Sequence, residues 1–206
     1  MREKILKTLE KIEKEEGVWE QNNNQPTNFV SPEGGLKTKF GSIPRSTGKL
    51  LEEMILERKP KTIVEIGSSV GYSTLWLALG AEQISAQVYA SEISPERIAK
   101  AKEFQKEAEV GNTVKLFEGD ARKMLQSWDI LHNSRIDFVF LDAYKKDYSE
   151  FVDMLLPLMN VDGIIAIDNV GTHAKSLSQF LEKIRTSTQI SSKMIQKDNG
   201  ILLLFT

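Results

Sequence analysis

Hydrophobic and polar positions along this chain change period repeatedly, from helical spacing to short extended runs and back. Runs typical of strands lie at Thr62–Ile66, Gln87–Glu92, Thr113–Phe117, Ile136–Leu141, Gly163–Asp168, Ile190–Ile195 and Ile201–Phe205. Helical spacing is found between them at Tyr72–Leu79, Pro95–Ala108, Ala121–Leu131, Asp147–Met159 and His173–Thr186. This alternation predicts an α/β fold with a doubly wound, seven-stranded, mostly parallel sheet. The turn signal Asp198-Asn199-Gly200 predicts that the last strand is antiparallel.

An amphipathic helix is predicted before the first strand. Its helical pattern covers Glu3–Glu16, and Gly17 is expected to end it. The polar stretch Gln21–Pro26 then predicts a loop. We expect the apolar stripe of this helix to dock on the sheet or on a partner subunit; it consists of Ile5, Leu6, Leu9 and Ile12.

The pattern predicts a single domain over residues 1–206. Residues 1–45 are expected to form a helix and a loop that cover a site, and residues 46–206 to form the core. Ser46 or Thr47 is expected to cap a helix that runs through Arg58, because their hydroxyls accept hydrogen bonds from N–H groups of a first helical turn.

Composition narrows the functional classes. The 206 residues are 40% apolar and 27% charged, as in ordinary globular proteins, and the net charge of −2 argues against general attraction to nucleic acids or membranes. No cysteine is present, which excludes disulfides, zinc–thiolate sites and thiol nucleophiles. The first residues lack a signal-peptide pattern, and no apolar run approaches the about 18 residues needed to span a bilayer. A cytoplasmic protein is therefore expected.

A glycine loop follows the first predicted strand. Gly67 and Gly71 allow a ligand to approach the backbone, and the next helix presents N–H groups to a carboxylate or phosphate. The spacing differs from the G-x-G-x-x-G fingerprint of dinucleotide-binding proteins. Taken alone, this loop is also compatible with a plain tight turn.

Acidic residues follow the next two predicted strands. Glu92 can accept hydrogen bonds from a ribose diol, and Asp120, beside Ala121, can accept from an adenine amino group. The alternatives are a solvated strand end for Glu92 and a helix N-cap for Asp120. Because ligands of open α/β sheets bind at the carboxyl ends of the strands, the loop and both acids together predict an adenosine-containing cofactor.

Oxygen side chains also follow the fourth and fifth strands. If these strands are parallel neighbours, Asp142, Asp168 and Asn169 emerge at one edge of the sheet, with Lys145 beside them. Such donors suit Mg²⁺ or another hard divalent cation such as Mn²⁺ or Ca²⁺. Ordinary turn residues are the alternative for the three donors, and a solvated side chain is the alternative for Lys145.

The chain resembles the class I S-adenosylmethionine-dependent O-methyltransferases of the metal-dependent catechol and caffeoyl-CoA type. The resemblance extends from about Gly41 to the C-terminus and rests on Glu65–Ser73, Ser91–Arg97, Glu118–Ala121, Leu141–Tyr148 and Ile167–Val170. It implies a Rossmann-like fold, a homodimer and methylation of a hydroxyl on a small catechol-like or phenolic acceptor. After Asn169 this chain lacks the aromatic, glycine-containing insertion of the family and runs almost directly into a helix.

The resemblance also implies residue roles. Lys145 would be the general base, assisted by Asp142. Asp142, Asp168 and Asn169 would bind the metal. S-adenosylmethionine would be bound by Ile43, Glu65, Gly67, Ser69, Gly71, Ser73, Glu92, Ile93, Asp120, Ala121 and Asp142.

Three other functions stay open at this point. Methylation of a modified tRNA base is one, because basic residues cluster at the expected mouth of the site: Lys37, Lys39, Arg45 and Lys49. A nicotinamide-dependent oxidoreductase or a non-catalytic sensor of an adenosyl ligand would share the sheet. The oxidoreductase would leave the three oxygen donors without a purpose, and the sensor would need neither these donors nor Lys145.

Overall fold

The computed structural model describes residues 1–22, 40–128 and 134–206. The helices are α1 (Arg2–Asn22), α2 (Arg45–Arg58), α3 (Tyr72–Ile84), α4 (Pro95–Ala108), α5 (Ala121–Gln126), α6 (Tyr148–Leu155) and α7 (Ser178–Thr186). Single 3-10 turns occupy Lys145–Asp147 and Leu156–Leu158. The strands are β1 (Thr62–Ile66), β2 (Gln87–Glu92), β3 (Val114–Glu118), β4 (Ile136–Leu141), β5 (Met159–Ile167), β6 (Ser191–Ile195) and β7 (Ile201–Phe205).

The seven strands form one sheet in the order β3-β2-β1-β4-β5-β7-β6. The pairs from β3 to β5 are parallel, whereas β7 runs antiparallel to both of its neighbours. The predicted fold class is therefore confirmed. The strand order reverses between β1 and β4, which is where open α/β sheets place their ligand crevice.

Two hydrophobic cores lie on the two faces of the sheet. Successive strand residues point to opposite faces, so that Ile63 belongs to the core under α1 to α4, and Val64 to the core under α5 to α7. All five positions of β1 are therefore buried, including Thr62 and Glu65 beside its three apolar residues.

The apolar stripe of α1 packs on α3 and α4, which in turn cover the sheet. Ile5, Leu9 and Ile12 are fully buried within the chain itself. The stripe was expected to dock on the sheet or on a partner subunit. It packs on two helices instead, because these helices already cover that face of the sheet.

The predicted end of the first helix is wrong. Gly17 lies inside α1, which continues to Asn22, so the predicted loop is helical at its first two residues and otherwise lies outside the described residues. Glycine lowers helix stability by about 1 kcal/mol relative to alanine. It does not have to end a helix whose apolar face is buried elsewhere.

Several further boundaries differ from the predictions; among them, the helix predicted at Tyr72–Leu79 continues to Ile84, and the one predicted at Asp147–Met159 covers Tyr148–Leu155. The helix expected from His173 begins only at Ser178, because residues 171–177 form turns. β5 begins four residues earlier than Gly163, and a 3-10 turn precedes it. α5 ends at Gln126, and residues 129–133 lie outside the described residues.

None of the helices within the described parts of the chain combines the length and the apolar character that crossing a membrane requires.

Candidate functional site

The glycine loop touches the end of β4. Gly67 has φ of +90°, and a Cβ atom there would lie 2.3 Å from the backbone oxygen of Asp142. The N–H groups of Gly67 and Ser68 donate to the oxygen of Ser91 at 3.1 and 3.0 Å. Glycine is therefore required at position 67 both for its backbone conformation and for the close approach of two chain segments.

Glu65 is a fully buried carboxyl group one residue before the end of β1. Its two oxygens accept hydrogen bonds of 2.5 Å each from the hydroxyls of Ser73 and Thr74, in the first turn of α3. Burial raises the pKa of Glu65 to about 7, against the opposing effect of these two donors. Gly71, with φ of +91°, directs the chain into this helix.

Glu92 ends β2 and connects the glycine loop to the turn that follows β2. Its Oε2 accepts from the N–H of Ser69 at 2.8 Å, and its Oε1 accepts from the N–H groups of Ile93 and Ser94 at 2.8 Å each. The side chain is only 6% exposed, so the solvated strand end is excluded. Described residues occupy three of the about four acceptor positions of a carboxylate.

Asp120 caps α5, as the alternative interpretation of the sequence proposed. It accepts from the N–H of Arg122 at 2.9 Å, and Ala121 behind it is buried. Ile93 follows β2 at the same edge of the sheet. Its surface is 59% exposed, which is high for a large apolar side chain. An N-cap aspartate keeps oxygen lone pairs for a ligand, so the capping role is compatible with contact to a cofactor.

The predicted oxygen donors come from neighbouring strand ends. Leu141 and Ile167 are paired in the parallel register of β4 and β5, so Asp142 and Asp168 follow them side by side. The N–H of Asp168 donates to the oxygen of Leu141 at 3.1 Å. The two aspartates and Asn169 are thus brought together, as the sequence predicted.

Asp168 is only 1% exposed and is incompletely satisfied. Its Oδ2 accepts from Nδ2 of Asn169 at 2.8 Å, whereas Oδ1 is buried without a hydrogen-bond partner in the described parts of the chain. Burial and the charge of Asp142 raise the pKa of Asp168. The hydroxyl of Tyr148, itself fully buried, donates to the backbone oxygen of Asp168 at 3.1 Å.

A divalent cation fits this arrangement. A buried carboxylate oxygen without a partner is costly, and a cation beside it would remove that cost. The donors are oxygens throughout, which suits hard cations. No group of three or more His, Cys, Asp or Glu side chains that could hold a metal occurs within residues 1–22, 40–128 and 134–206. The third donor here would be the amide of Asn169.

Lys145 and Lys146 have different surroundings. Nζ of Lys145 lies 2.7 Å from Oδ1 of Asp142 and 3.2 Å from the oxygen of Ala143. Lys146 is exposed, with its Nζ 5.9 Å from the ring centroid of Tyr144. Only Lys145 therefore faces the oxygen donors.

The segment Phe40–Thr47 leads from the N-terminal part to α2 and touches the glycine loop. The hydroxyl of Ser69 donates to the oxygen of Phe40 at 2.5 Å. Ile43 is buried, and Oε1 of Glu16 in α1 accepts from the N–H of Phe40 at 3.4 Å.

The predicted cap of α2 is wrong. The helix begins at Arg45 after Pro44, and the side-chain hydroxyls of Ser46 and Thr47 instead donate to Oδ2 of Asp198 at 2.6 and 2.8 Å. Sequence reasoning identified Asp198 only as a turn residue. No local signal indicates this contact, because the partners are 152 and 151 positions away along the chain.

Of the four basic residues behind the tRNA alternative, the structure describes Arg45 and Lys49, both in α2, and Lys49 is exposed. Lys37 and Lys39 lie outside the described residues. Arg45 forms an ion pair of 2.7 Å with Glu13 and stacks on Trp76, with its Cζ 5.7 Å from the ring centroid. The positive charge of Arg45 is therefore already compensated within the chain.

Comparison with known proteins finds similar sequences among O-methyltransferases. A family model described as O-methyltransferase matches residues 36–204. A putative caffeoyl-CoA O-methyltransferase of Arabidopsis thaliana is 35% identical over 180 residues, which are 78% of this chain and 76% of that protein. The caffeoyl-CoA O-methyltransferase of Stellaria longipes is 34% identical over 134 residues, which are 63% of this chain and 54% of that protein.

Solved structures share the fold. An SAH-bound methyltransferase of Podospora anserina aligns with a TM-score of 0.72 and 27% identity, over 79% of each chain. An O-methyltransferase of Bacillus cereus in complex with SAH aligns with a TM-score of 0.77 over 97% of this chain and 90% of that one, at 24% identity. The second likeness shows the common fold alone.

Proposed function

The chain belongs to the O-methyltransferase family, and we propose that it transfers the methyl group of S-adenosylmethionine to a hydroxyl of a small catechol-like or phenolic acceptor with the help of a bound divalent cation. One observation carries this proposal. Asp142, Asp168, Asn169 and Lys145 converge at the ends of β4 and β5, and the buried Oδ1 of Asp168 lacks a hydrogen-bond partner among the described residues.

The cofactor would lie across the carboxyl ends of β1, β2 and β3. Glu92 would bind the ribose hydroxyls with its remaining acceptor capacity, and the exposed face of Ile93 would pack on adenine, near Asp120 and Ala121. The methionine portion would lie beside the loop and the first turn of α3, formed by Glu65, Gly67, Ser69, Gly71 and Ser73.

The cation would be held by Asp142, Asp168 and Asn169. A divalent ion at an acceptor oxygen stabilises the conjugate base of the hydroxyl and so lowers its pKa. Mg²⁺ is the first choice, and Mn²⁺ or Ca²⁺ would suit the same oxygen donors. The orphaned oxygen of Asp168 and its raised pKa support this assignment, since nearby positive charge would favour the ionised carboxylate.

Lys145 would move the proton. Nζ of Lys145 would accept the proton of the acceptor hydroxyl, and the acceptor oxygen would take the methyl group of the bound cofactor as its carbon–sulfur bond breaks. The products are a methyl ether and S-adenosylhomocysteine (SAH), and the protonated lysine then loses its proton to solvent. Asp142 orients Lys145 through the contact of 2.7 Å.

The segment Phe40–Thr47, including Ile43, would cover the cofactor and keep water from the reacting atoms. Transfer from a sulfonium to an oxyanion neutralises charge, so a water-poor site favours it. Contacts of this segment with Ser69 and Glu16 support the assignment. In this proposal, residues 1–206 act as one domain. The expected homodimer and cytoplasmic location stay predictions.

The test uses the full chain with isotope-labelled S-adenosylmethionine and three acceptor classes: simple catechols, caffeoyl-CoA and bulk tRNA. We expect labelled methyl ethers of a phenolic acceptor, loss of transfer with a chelator and recovery with Mg²⁺. Calorimetry should show binding of SAH and no binding of NAD. Methyl transfer to tRNA alone would contradict the proposed acceptor. Methyl transfer that a chelator does not affect would contradict the proposed role of the metal.

A further inference from the structure

The turn between β6 and β7 holds the loop that follows the oxygen donors. The N–H groups of Val170 and Gly171 donate to the oxygens of Gly200 and Asn199 at 3.0 and 2.9 Å, and Thr172 also donates to Asn199, at 3.1 Å. The two backbones are in direct contact, because a Cβ atom on Gly200 would lie 2.7 Å from the nitrogen of Gly171. The turn therefore fixes the chain immediately after Asn169.

The same turn also holds the start of α2. Oδ2 of Asp198 accepts both hydroxyl hydrogen bonds from Ser46 and Thr47, at 2.6 and 2.8 Å. Thr47 is fully buried. A carboxylate that accepts two short hydrogen bonds at the first turn of a helix also interacts favourably with the helix dipole.

The segment Phe40–Thr47 includes the start of α2, which begins at Arg45. That segment reaches the glycine loop through the contact between Phe40 and Ser69, and it includes the buried Ile43. Asp198 thus accepts hydrogen bonds directly from the segment proposed to cover the cofactor. Asn199, the next residue of the turn, accepts hydrogen bonds from the loop that follows the metal donors.

We propose that Asp198 is a positioning residue that fixes the segment Phe40–Thr47 against the metal-donor loop, so that cofactor affinity depends on a side chain that does not touch the cofactor. The proposal rests on the proposed function. Without the carboxylate, the hydroxyls of Ser46 and Thr47 lose their common acceptor, and the segment loses its connection to the turn between β6 and β7.

The experiment measures SAH affinity by calorimetry, at a temperature well below the Tm of each variant. Asp198→Ala removes both hydrogen bonds and should weaken SAH binding about tenfold, the lower end of the range for hydrogen bonds to a charged group, because the effect on the cofactor is indirect. The double variant Ser46→Ala, Thr47→Val should give a similar loss, and combining all three substitutions should add little further loss. Asp198→Asn keeps an acceptor oxygen and should stay within about threefold of the unmodified protein.

Asp162→Ala is the matched control, because Asp162 also has positive φ but lies toward the amino end of β5. It should leave SAH affinity unchanged. If Asp198→Ala lowers the Tm but not the affinity, Asp198 is only structural and the inference is overturned. If Asp198→Ala does not fold, the double variant Ser46→Ala, Thr47→Val replaces it as the test. Unchanged SAH affinity of that double variant would also overturn the inference. Failure of the unmodified protein to bind SAH would instead refute the proposed function.

Discussion

Nζ of Lys145 lies 2.7 Å from Oδ1 of Asp142, three positions earlier in the chain. Asp142 follows β4 at the strand pair where Asp168 also emerges, so this contact brings an amine to the proposed metal donors. The next lysine, Lys146, is exposed. A general base must be close to the proton it removes, and the geometry of the chain satisfies this condition at one of the two lysines.

Replacing Lys145 by alanine should reduce turnover strongly and cofactor affinity little. General-base catalysis contributes about 10²–10⁴-fold, so kcat should fall within that range. The Kd for SAH, measured by calorimetry, should change by less than about threefold because the amine contacts the acceptor side of the site. Lys146→Ala is the control and should keep normal kcat. Equal effects of the two substitutions would exclude the proposed role of Lys145.

Mg²⁺ should raise the Tm of the protein, because a ligand that binds only the folded state stabilises it. Asp168→Asn should abolish this increase, since it removes the buried carboxylate with the orphaned oxygen. Thermal unfolding with a chelator and with added Mg²⁺ measures both. Asp153→Asn, which changes an exposed carboxylate paired with Lys183, should keep the Mg²⁺ response. A response that survives in Asp168→Asn would place the ion elsewhere.

Replacing Glu92 by glutamine should weaken SAH binding by about 10–100-fold, the usual range for a lost hydrogen bond to a charged group. Glutamine keeps one acceptor oxygen, but its NH2 group cannot accept, so either the N–H of Ser69 or the N–H groups of Ile93 and Ser94 lose their acceptor. Glu118 is paired with Glu92 in the register of β2 and β3, ends its own strand and is exposed. Calorimetry of Glu118→Gln should therefore give unchanged affinity, and a similar loss in both variants would refute a specific role for Glu92.

The buried Glu65 should make the cofactor-free protein less stable as the pH rises. Its folded pKa of about 7 exceeds the ordinary value of 4.5, so between these values the folded state binds more protons than the unfolded state. The contribution to the free energy of unfolding is full below about pH 4.5 and is lost by about pH 7, on the order of 3 kcal/mol.

Glu65→Gln removes this titration while keeping the shape of the side chain. Denaturant unfolding between pH 4.5 and 8 should therefore show a flatter pH profile for the variant than for the unmodified protein. Glu96→Gln, which changes an exposed carboxyl group, should keep the original slope. Identical slopes for Glu65→Gln and the unmodified protein would show that Glu65 does not titrate in this range.

Alanine at position 67 should destabilise the fold by about 2 kcal/mol or more. Gly67 has φ of +90°, and the added Cβ atom would meet the backbone oxygen of Asp142 at 2.3 Å. Gly111→Ala is the control, because a Cβ atom there has no atom within 4 Å. Denaturant unfolding should separate the two variants, and equal midpoints would contradict the close approach of the loop to β4.

The local pattern of the sequence determined most of the fold and the grouping of the site. The bounds of β1, β2, β4 and β7 agree with the predicted runs, because short runs rich in apolar residues between polar or turn residues are typical of strands. Asp142 and Asp168 could be placed together in advance, because carboxyl ends of neighbouring parallel strands meet at one edge. The cofactor, the metal and the acceptor depended on the family resemblance in addition.

Tertiary structure alone decided the supporting contacts. The hydroxyls of Ser46 and Thr47 suit a helix cap locally, but Asp198 offers a charged acceptor once the turn between β6 and β7 packs beside α2. The start of α7 moved to Ser178 because residues 171–172 bond to the same turn instead of continuing a helix. A hydrogen bond across 151 positions depends on how separate elements pack, and no local pattern of residues encodes that distance.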